Sequence, residues 1–302
     1  MRGIYSDDDT PGDEERQPPP VLAAWIGDLL RDVCATHLRR LEQLCARMQS
    51  EGFEWDDAAL AQAIAAVHSA GRELHIRELR QGWLDKLMGR HRAVYARFAA
   101  AYDRIVDCAG QMRRAAGDLA TRWKPHEAAI KRMLVEFEMD MNAIQADLEQ
   151  GLNWLQDMCA QLAEAAAREN DQPDLAECAQ AAQAFTAYFK RLQAVTSIGG
   201  DIRVRALDVQ VRRAVLVEQA RVDVEWFHKE WAREAAKVAS LAQAGGDPTH
   251  AAGRVMEPHD ELMKRLSLCA DACSALHHEE HLLAEQLQAL RRELEAFGAS
   301  GG

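Results

Sequence analysis

The chain has 302 residues, 48% hydrophobic but only 6% aromatic, and a formal net charge of −12. That balance argues against a chain built as a whole to coat nucleic acid, because neutralising phosphates needs clustered Lys and Arg. No uninterrupted apolar run approaches the ~20 residues that cross a bilayer, and Arg2 has no apolar core behind it, so no secretory leader is expected. The seven cysteines are odd in number and several fall within helical apolar stripes. They read as reduced thiols of a cytoplasmic protein rather than a disulfide framework.

In chain order, residues 1–20 form an acidic, Pro-terminated arm that cannot bury an apolar face and is expected to be disordered. The helical bundle is expected over 21–297, with 298–302 a flexible tail. A first helix is predicted from Val21 to Ser50 on the face Ile26, Leu30, Leu38, Leu41, Cys45 and Met48. A second runs from Asp57 to Met88, weakened at Gly71 and ended by Gly89. The third carries the seam Val94, Phe98, Ile105, Met112 and Leu119 and is expected to stop at Pro125, which suits the first turn of a new helix. The fourth keeps a four-three rhythm from Ile130 through Phe137, Ile144 and Leu155 to Ala165, a stripe that needs partner helices along its length.

Asn170 to Pro173 reads as a turn. A fifth helix is expected over Asp174–Thr196, a break at Gly199-Gly200-Asp201, and a sixth over Ile202–Gln243. A loop from Gly245 to about Arg254 follows. The last helix is expected to start near Glu257-Pro258 and to carry the seam Leu262, Leu266, Cys269, Cys273, Leu276, Leu283 and Leu287. No strand pattern occurs. The expected fold is therefore all-α: an elongated bundle of six to seven long antiparallel helices with coiled-coil-like packing.

Several constellations bear on function. Cys269, Cys273, His277 and His281 lie on the last helix at four-residue steps that could co-ligate a soft metal. Cys269 and His281 are about 18 Å apart along the axis, so one ion cannot touch all four. The two cysteines share the leucine seam and are expected to pack as small hydrophobes, with thiol or metal binding the alternative. Glu280 is the one polar residue on that seam. It is expected near a bundle end or facing solvent, the alternative being a register-setting pair with a neighbouring Arg.

Arg77, Arg80, Arg90 and Arg92 belong to a basic stretch near Trp83 and Tyr95. It reads either as a solvated face or as a contact surface for acidic lipid, nucleic acid or an acidic partner. Trp231 fits the apolar stripe of its helix and is expected in the core, leaving Trp226 as an interface residue. Gly199-Gly200 lacks any phosphate-loop context and reads as a turn. Neither a metalloprotease pattern nor a di-iron pattern is present, and His278-Glu279-Glu280-His281 is one residue short of the zinc motif. No enzyme activity and no cofactor are expected.

Three stretches carry a family resemblance. The first is Gly82-Trp83-Leu84-Asp85-Lys86-Leu87, followed by Phe98 and Tyr102. The second is Ile144 to Leu155, with Gly151 before Leu152. The third is Phe189-Lys190-Arg191-Leu192, with Ile202-Arg203 and later Trp226 or Trp231 near Lys229. Together they resemble the TelA-type toxic anion (tellurite) resistance family over about 80–240. The family's Pro-Gln before Ile-Arg is Gly200-Asp201 here, and the following Gln-Asn pair is missing. The resemblance implies a cytoplasmic, long-helical stress-response protein and brings no catalytic residues with it. The functional expectation is a non-enzymatic helical scaffold whose partners are other proteins or a second copy of itself. A membrane-surface-binding dimer and a thiol or metal-binding protein are the alternatives, and no nucleic-acid partner is expected.

Overall fold

A computed structural model describes residues 34–52, 55–80, 90–168, 173–247 and 249–299. Its helices are α1 (Ala35–Gly52), α2 (Ala58–Arg72), α3 (Arg90–Arg168), α4 (Pro173–Trp226), α5 (Ala232–Gln243) and α6 (Thr249–Ala299). A 3-10 turn over Ile76–Arg80 follows α2, and a π turn over Phe227–Trp231 joins α4 to α5 without a break. The fold is all-α, and counted as continuous rods the described residues make five helices. The arm 1–20, the first part of the predicted first helix (21–33, with Ile26 and Leu30), the segment 81–89 with its Trp83 motif, the turn 170–172 and the last residues 300–302 lie outside the described residues.

In cross-section the bundle has four helices. Three long rods run its length: α3, α4 continued by α5, and α6. The fourth position is shared in turn by α1 and α2. Contacts give the directions. On α1, Cys34 meets Asp147 and Arg47 meets Glu136, so α1 runs antiparallel to α3. On α2, Asp57 meets His277 and His68 meets Ser267, so α2 runs antiparallel to α6. Arg205 with Glu279 and Asp223 with Arg265 set α4 antiparallel to α6.

Two buried clusters fill the bundle. The first core is built from α2, the 3-10 turn, α3 before Trp123, α4 beyond Val209 with α5, and α6 up to Leu276. The second is built from α1, α3 beyond Ile130, α4 up to Ala206, and α6 beyond Leu287.

The structure corrects several predicted boundaries. Pro125 does not end a helix: α3 is continuous for 79 residues, about 120 Å at 1.5 Å per residue. An interior proline deprives the carbonyl four residues earlier of its donor. Here both Pro125 and Thr121 are solvent-exposed, where water can replace the missing bond. Buried Trp123 and Ile130 hold the helix on either side. Pro258 is likewise inside α6, with Arg254 exposed. Fully buried Ala252 and Val255 fasten the turns before it to the core, so α6 starts eight residues earlier than Glu257.

Gly199-Gly200 is also no break. A methyl at Gly199 would lie 2.4 Å from Met141 Cε, so this glycine is a hole that admits a side chain of α3. The second predicted helix is shorter than expected: α2 ends at Arg72, where Gly71 sits against Met263. At the C-terminus α6 continues through Gly298 to Ala299, into the expected tail.

Candidate functional site

The fourth helical position is interrupted between α1 and α2, and the two cores meet at that level. A break in one rod of a bundle exposes helix ends and leaves room for polar groups, so this is where buried charge should collect. Arg213 projects from the α4 face that otherwise carries Val209, Leu216 and Ala220, and it is 4% exposed. Its Nε and Nη2 both donate to Glu280 Oε1, at 2.8 and 2.7 Å. Its Nη1 donates to His126 Nε2 at 2.9 Å. Arginine has no acceptor, so that nitrogen carries the lone pair. The guanidinium also lies 5.2 Å from the ring of Trp55, in the α1–α2 connection. Trp55 in turn packs edge-on against Trp123 at 5.4 Å.

Asp57, directly before α2, is 3% exposed and accepts from His277 Nε2 at 2.6 Å. Its other carboxylate oxygen and Gln210 Oε1 are buried without a protein partner. A cavity of about 30 Å³ lies between Gln210, Arg213 and Glu280 on one side and Met48, Ile130 and Leu287 on the other. Burial pushes the Glu280 carboxyl up, against the pull of Arg213. Burial also draws the Arg213 guanidinium down, against the pull of Glu280. Each charge is thus costly by itself and tolerable only because the other is present. Arg213 and Glu280 satisfy each other across two helices, which is the arrangement of a register key.

Glu280 therefore neither faces solvent nor lies at a bundle end. It holds the alternative position, paired with an arginine of a neighbouring helix, because the interrupted fourth rod brings Arg213 to its level. Sequence reading missed Arg213, His126 and Asp57. The usable signal was a lone arginine on an apolar stripe facing the lone glutamate of another.

The remaining predicted residues are dispersed. Cys269 and Cys273 are buried in the α6 seam and hydrogen-bonded to each other. That bond, burial and the carboxylates of Asp223 and Asp57 push the Cys269 thiol up, while the same bond draws the Cys273 thiol down. His277 is taken by Asp57, and exposed His281 pairs with Glu285 at 3.3 Å. Among the described residues no group of three or more His, Cys, Asp or Glu stands close enough to hold a metal ion.

Trp231 is fully buried and stacked on Tyr102 and Phe227. Trp226 is half-covered, with Arg265 lying 4.8 Å above its ring. Arg77 and Arg92 are exposed, while the side chains of Arg80 and Arg90 lie outside the described residues. Nearby, Glu73 pairs with Arg104 at 2.9 Å and Glu78 with Arg97 at 3.8 Å, so acidic groups interleave this basic surface.

One exposed feature stands out. Val204, Leu207, Val211, Val215 and Val222 on α4 are between 40% and 69% exposed. At 3.6 residues per turn they fall within about 80° of one another, forming a single stripe. Among the described residues α4 therefore has two apolar faces, one turned to the core and one open. No family model, curated protein or solved structure matches the chain. No described helix is long and apolar enough to cross a membrane.

Of the residues carrying the toxic-anion-resistance resemblance, the apolar ones mostly pack in the core, while Lys190, Arg203 and Lys229 are exposed. Phe98, Phe189, Leu192, Ile202 and Trp231 are buried. Gly151 is the hole for Phe189, whose Cζ would lie 2.3 Å from a methyl there.

Proposed function

We propose that the protein is a non-enzymatic helical scaffold that docks protein partners along the open face of α4. The observation that carries this reading is the stripe from Val204 to Val222. An amphipathic helix normally turns its apolar side to the core and its polar side to water. A second apolar stripe on the solvent side is the usual signature of a helix that accepts another helix. The long rods give that stripe a stiff backing, and the keyed polar layer beside it fixes the register of α4 against α6.

The test is comparative co-purification from cells holding tagged and untagged full-length protein. Wild type is compared with a variant carrying Val204→Ser, Val211→Ser and Val215→Ser. The scaffold reading expects the variant to keep its helicity and to lose bound polypeptides. An unchanged set of bound polypeptides overturns it.

A second reading, toxic anion resistance, is favoured by the residues that resemble that family. It expects a deletion strain to become sensitive across a tellurite series and the restored gene to rescue growth. Unaffected growth removes that role while leaving the scaffold untouched. The interleaved Glu73 and Glu78 weigh against the basic stretch as an anionic-membrane surface. Salt-sensitive sedimentation with anionic liposomes would reinstate it.

A further inference from the structure

We infer that the open stripe of α4 is a self-association face, and that its occupant is the same stripe of a second copy of this chain, packed antiparallel about Val211. The inference rests on the scaffold reading of that stripe and names the partner it takes.

The choice of partner comes from how the stripe and its charged borders behave under a twofold axis. A self-complementary interface must place each residue opposite one it can tolerate. With the axis at Val211, that valine meets its own copy and Leu207 meets Val215. Gly200, exposed and with open space where a methyl would be, falls opposite Val222. The seam is thus apolar at its centre and thin at its ends, which lets two helices approach there.

The one acidic residue inside the seam decides the direction. Glu218 lies on the same sector of α4 as Leu207 and Val211. Parallel pairing would set two Glu218 carboxylates face to face, which is unfavourable. Antiparallel pairing instead sets Glu218 beside Val204 and one residue from the level of Arg203 in the other copy. On the opposite border, Asp208 comes within a turn of the other copy's Arg212. In the single chain these groups already form short pairs on one surface: Asp208 with Arg212 at 2.6 Å, Arg203 with Glu138 at 2.6 Å, and Glu218 with Arg221 at 2.6 Å. The border therefore carries both signs in alternation. Such a border suits its own inverted copy better than a partner of uniform charge.

Sedimentation equilibrium of the full-length protein tests the inference. Wild type is expected to form a dimer. Val211→Glu, which sets two carboxylates against each other on the axis, is expected to sediment as a monomer with unchanged helicity, since the residue is exposed. Asp208→Arg should weaken the dimer roughly two- to thirtyfold, for two symmetry-related ion pairs. Adding Arg212→Asp should restore it, with helicity and the denaturation midpoint unchanged in both variants, so that the loss is read on the dimer and not on the fold. A monomeric wild type overturns the inference, as does a dimer that survives Val211→Glu. So does a monomer that dimerises only when Ile26 and Leu30 are replaced with Asp, because the chain's own N-terminal segment is then the occupant. A monomer whose serine stripe variant still sheds other polypeptides removes the second copy but leaves the scaffold. Stripe variants that shed nothing remove both.

Discussion

The two cores of the bundle share three rods and the same antiparallel order, yet the main contacts that register α4 differ between them. In the first core, polar pairs key α4 to α6 and α6 to the start of α2: Arg213 with Glu280, Arg265 with Asp223 at 3.0 Å, and His277 with Asp57. In the second core α1 is held to α3 by a part-buried pair, His37 with Asp140 at 2.8 Å, but α4 is set on α3 by shape. Phe189 of α4 enters the hole at Gly151 of α3, and Met141 of α3 enters the hole at Gly199 of α4. These two reciprocal contacts lie ten positions apart on each helix and fix the same antiparallel alignment. A polar key is specific but leaves a costly charge when one partner goes. A hole tolerates change according to whether the entering side chain can move.

The largest expected effect breaks the polar key. Arg213→Met leaves Glu280 buried without its counter-charge and should cost about 3–5 kcal/mol in denaturant unfolding. Combining it with Glu280→Leu should recover most of that loss, because the pair as a whole contributes little beyond its own desolvation. A double variant as unstable as the single would show that the pair is intrinsically stabilising.

Filling the holes should separate them. Gly151→Ala forces the ring of Phe189, which is stacked on Phe185 at 6.0 Å and lies against Tyr188. A loss of about 1–3 kcal/mol is expected, reduced by the better helix propensity of Ala. At Gly199 the obstructing atoms are the Sδ and Cε of Met141, the flexible end of its side chain. Gly199→Ala should therefore cost much less. Equal losses at the two sites would contradict the distinction between a locked and a yielding knob.

Acid should act mainly on the first core. Burial pulls His259 below the ordinary histidine value of 6.5, against the opposing effects of Asp260 and the Gly71 carbonyl. A depressed folded value means the contribution to stability is present above 6.5 and lost as pH falls through the folded value. Amide exchange around Gly71 and Val255 to Met263, corrected for intrinsic rate, should thus speed up at pH 5 relative to pH 7. His259→Phe should blunt the difference. Glu280 has the opposite sign. Its raised value favours folding in acid and withdraws that support as pH rises, opposite to the His259 contribution. Acid loosening of the second core at the same rate would sink this account.

The smallest effect is a control. Nothing stands within 4 Å of a methyl added at Gly117 or Gly253, both exposed and helical. Alanine at either should stabilise by about 0.5–1 kcal/mol, measured by the denaturation midpoint.

The helical class and the seams were legible because a 3.6-residue period survives in each rod. Leu262, Leu266, Cys269, Cys273 and Leu276 read as one buried stripe and are one. The breaks were misread for a common reason. Pro125, Pro258 and Gly199-Gly200 are local helix breakers, but tertiary packing on both sides overrides a local cost of ~1–3 kcal/mol. Gly199 reads as a turn because a sequence shows the missing side chain and not the methionine that fills its place. The polar layer was half legible. Glu280 was visible as an anomaly on its seam, but its partner is 67 positions away on a helix whose level is set by the interrupted fourth rod. The open stripe was hidden because two apolar faces on α4 blur into one broadly apolar helix.

Residue-resolved hydrogen exchange on Arg213→Met, compared with wild type, tests the two-core account most directly. Loosening is expected in the polar layer and the first core, at α2 and at residues 252–276 of α6. Protection should persist at the Gly151–Phe189 and Gly199–Met141 contacts of the second core. An equal loss of protection in both cores would contradict the account and make the bundle a single cooperative unit with one means of holding register.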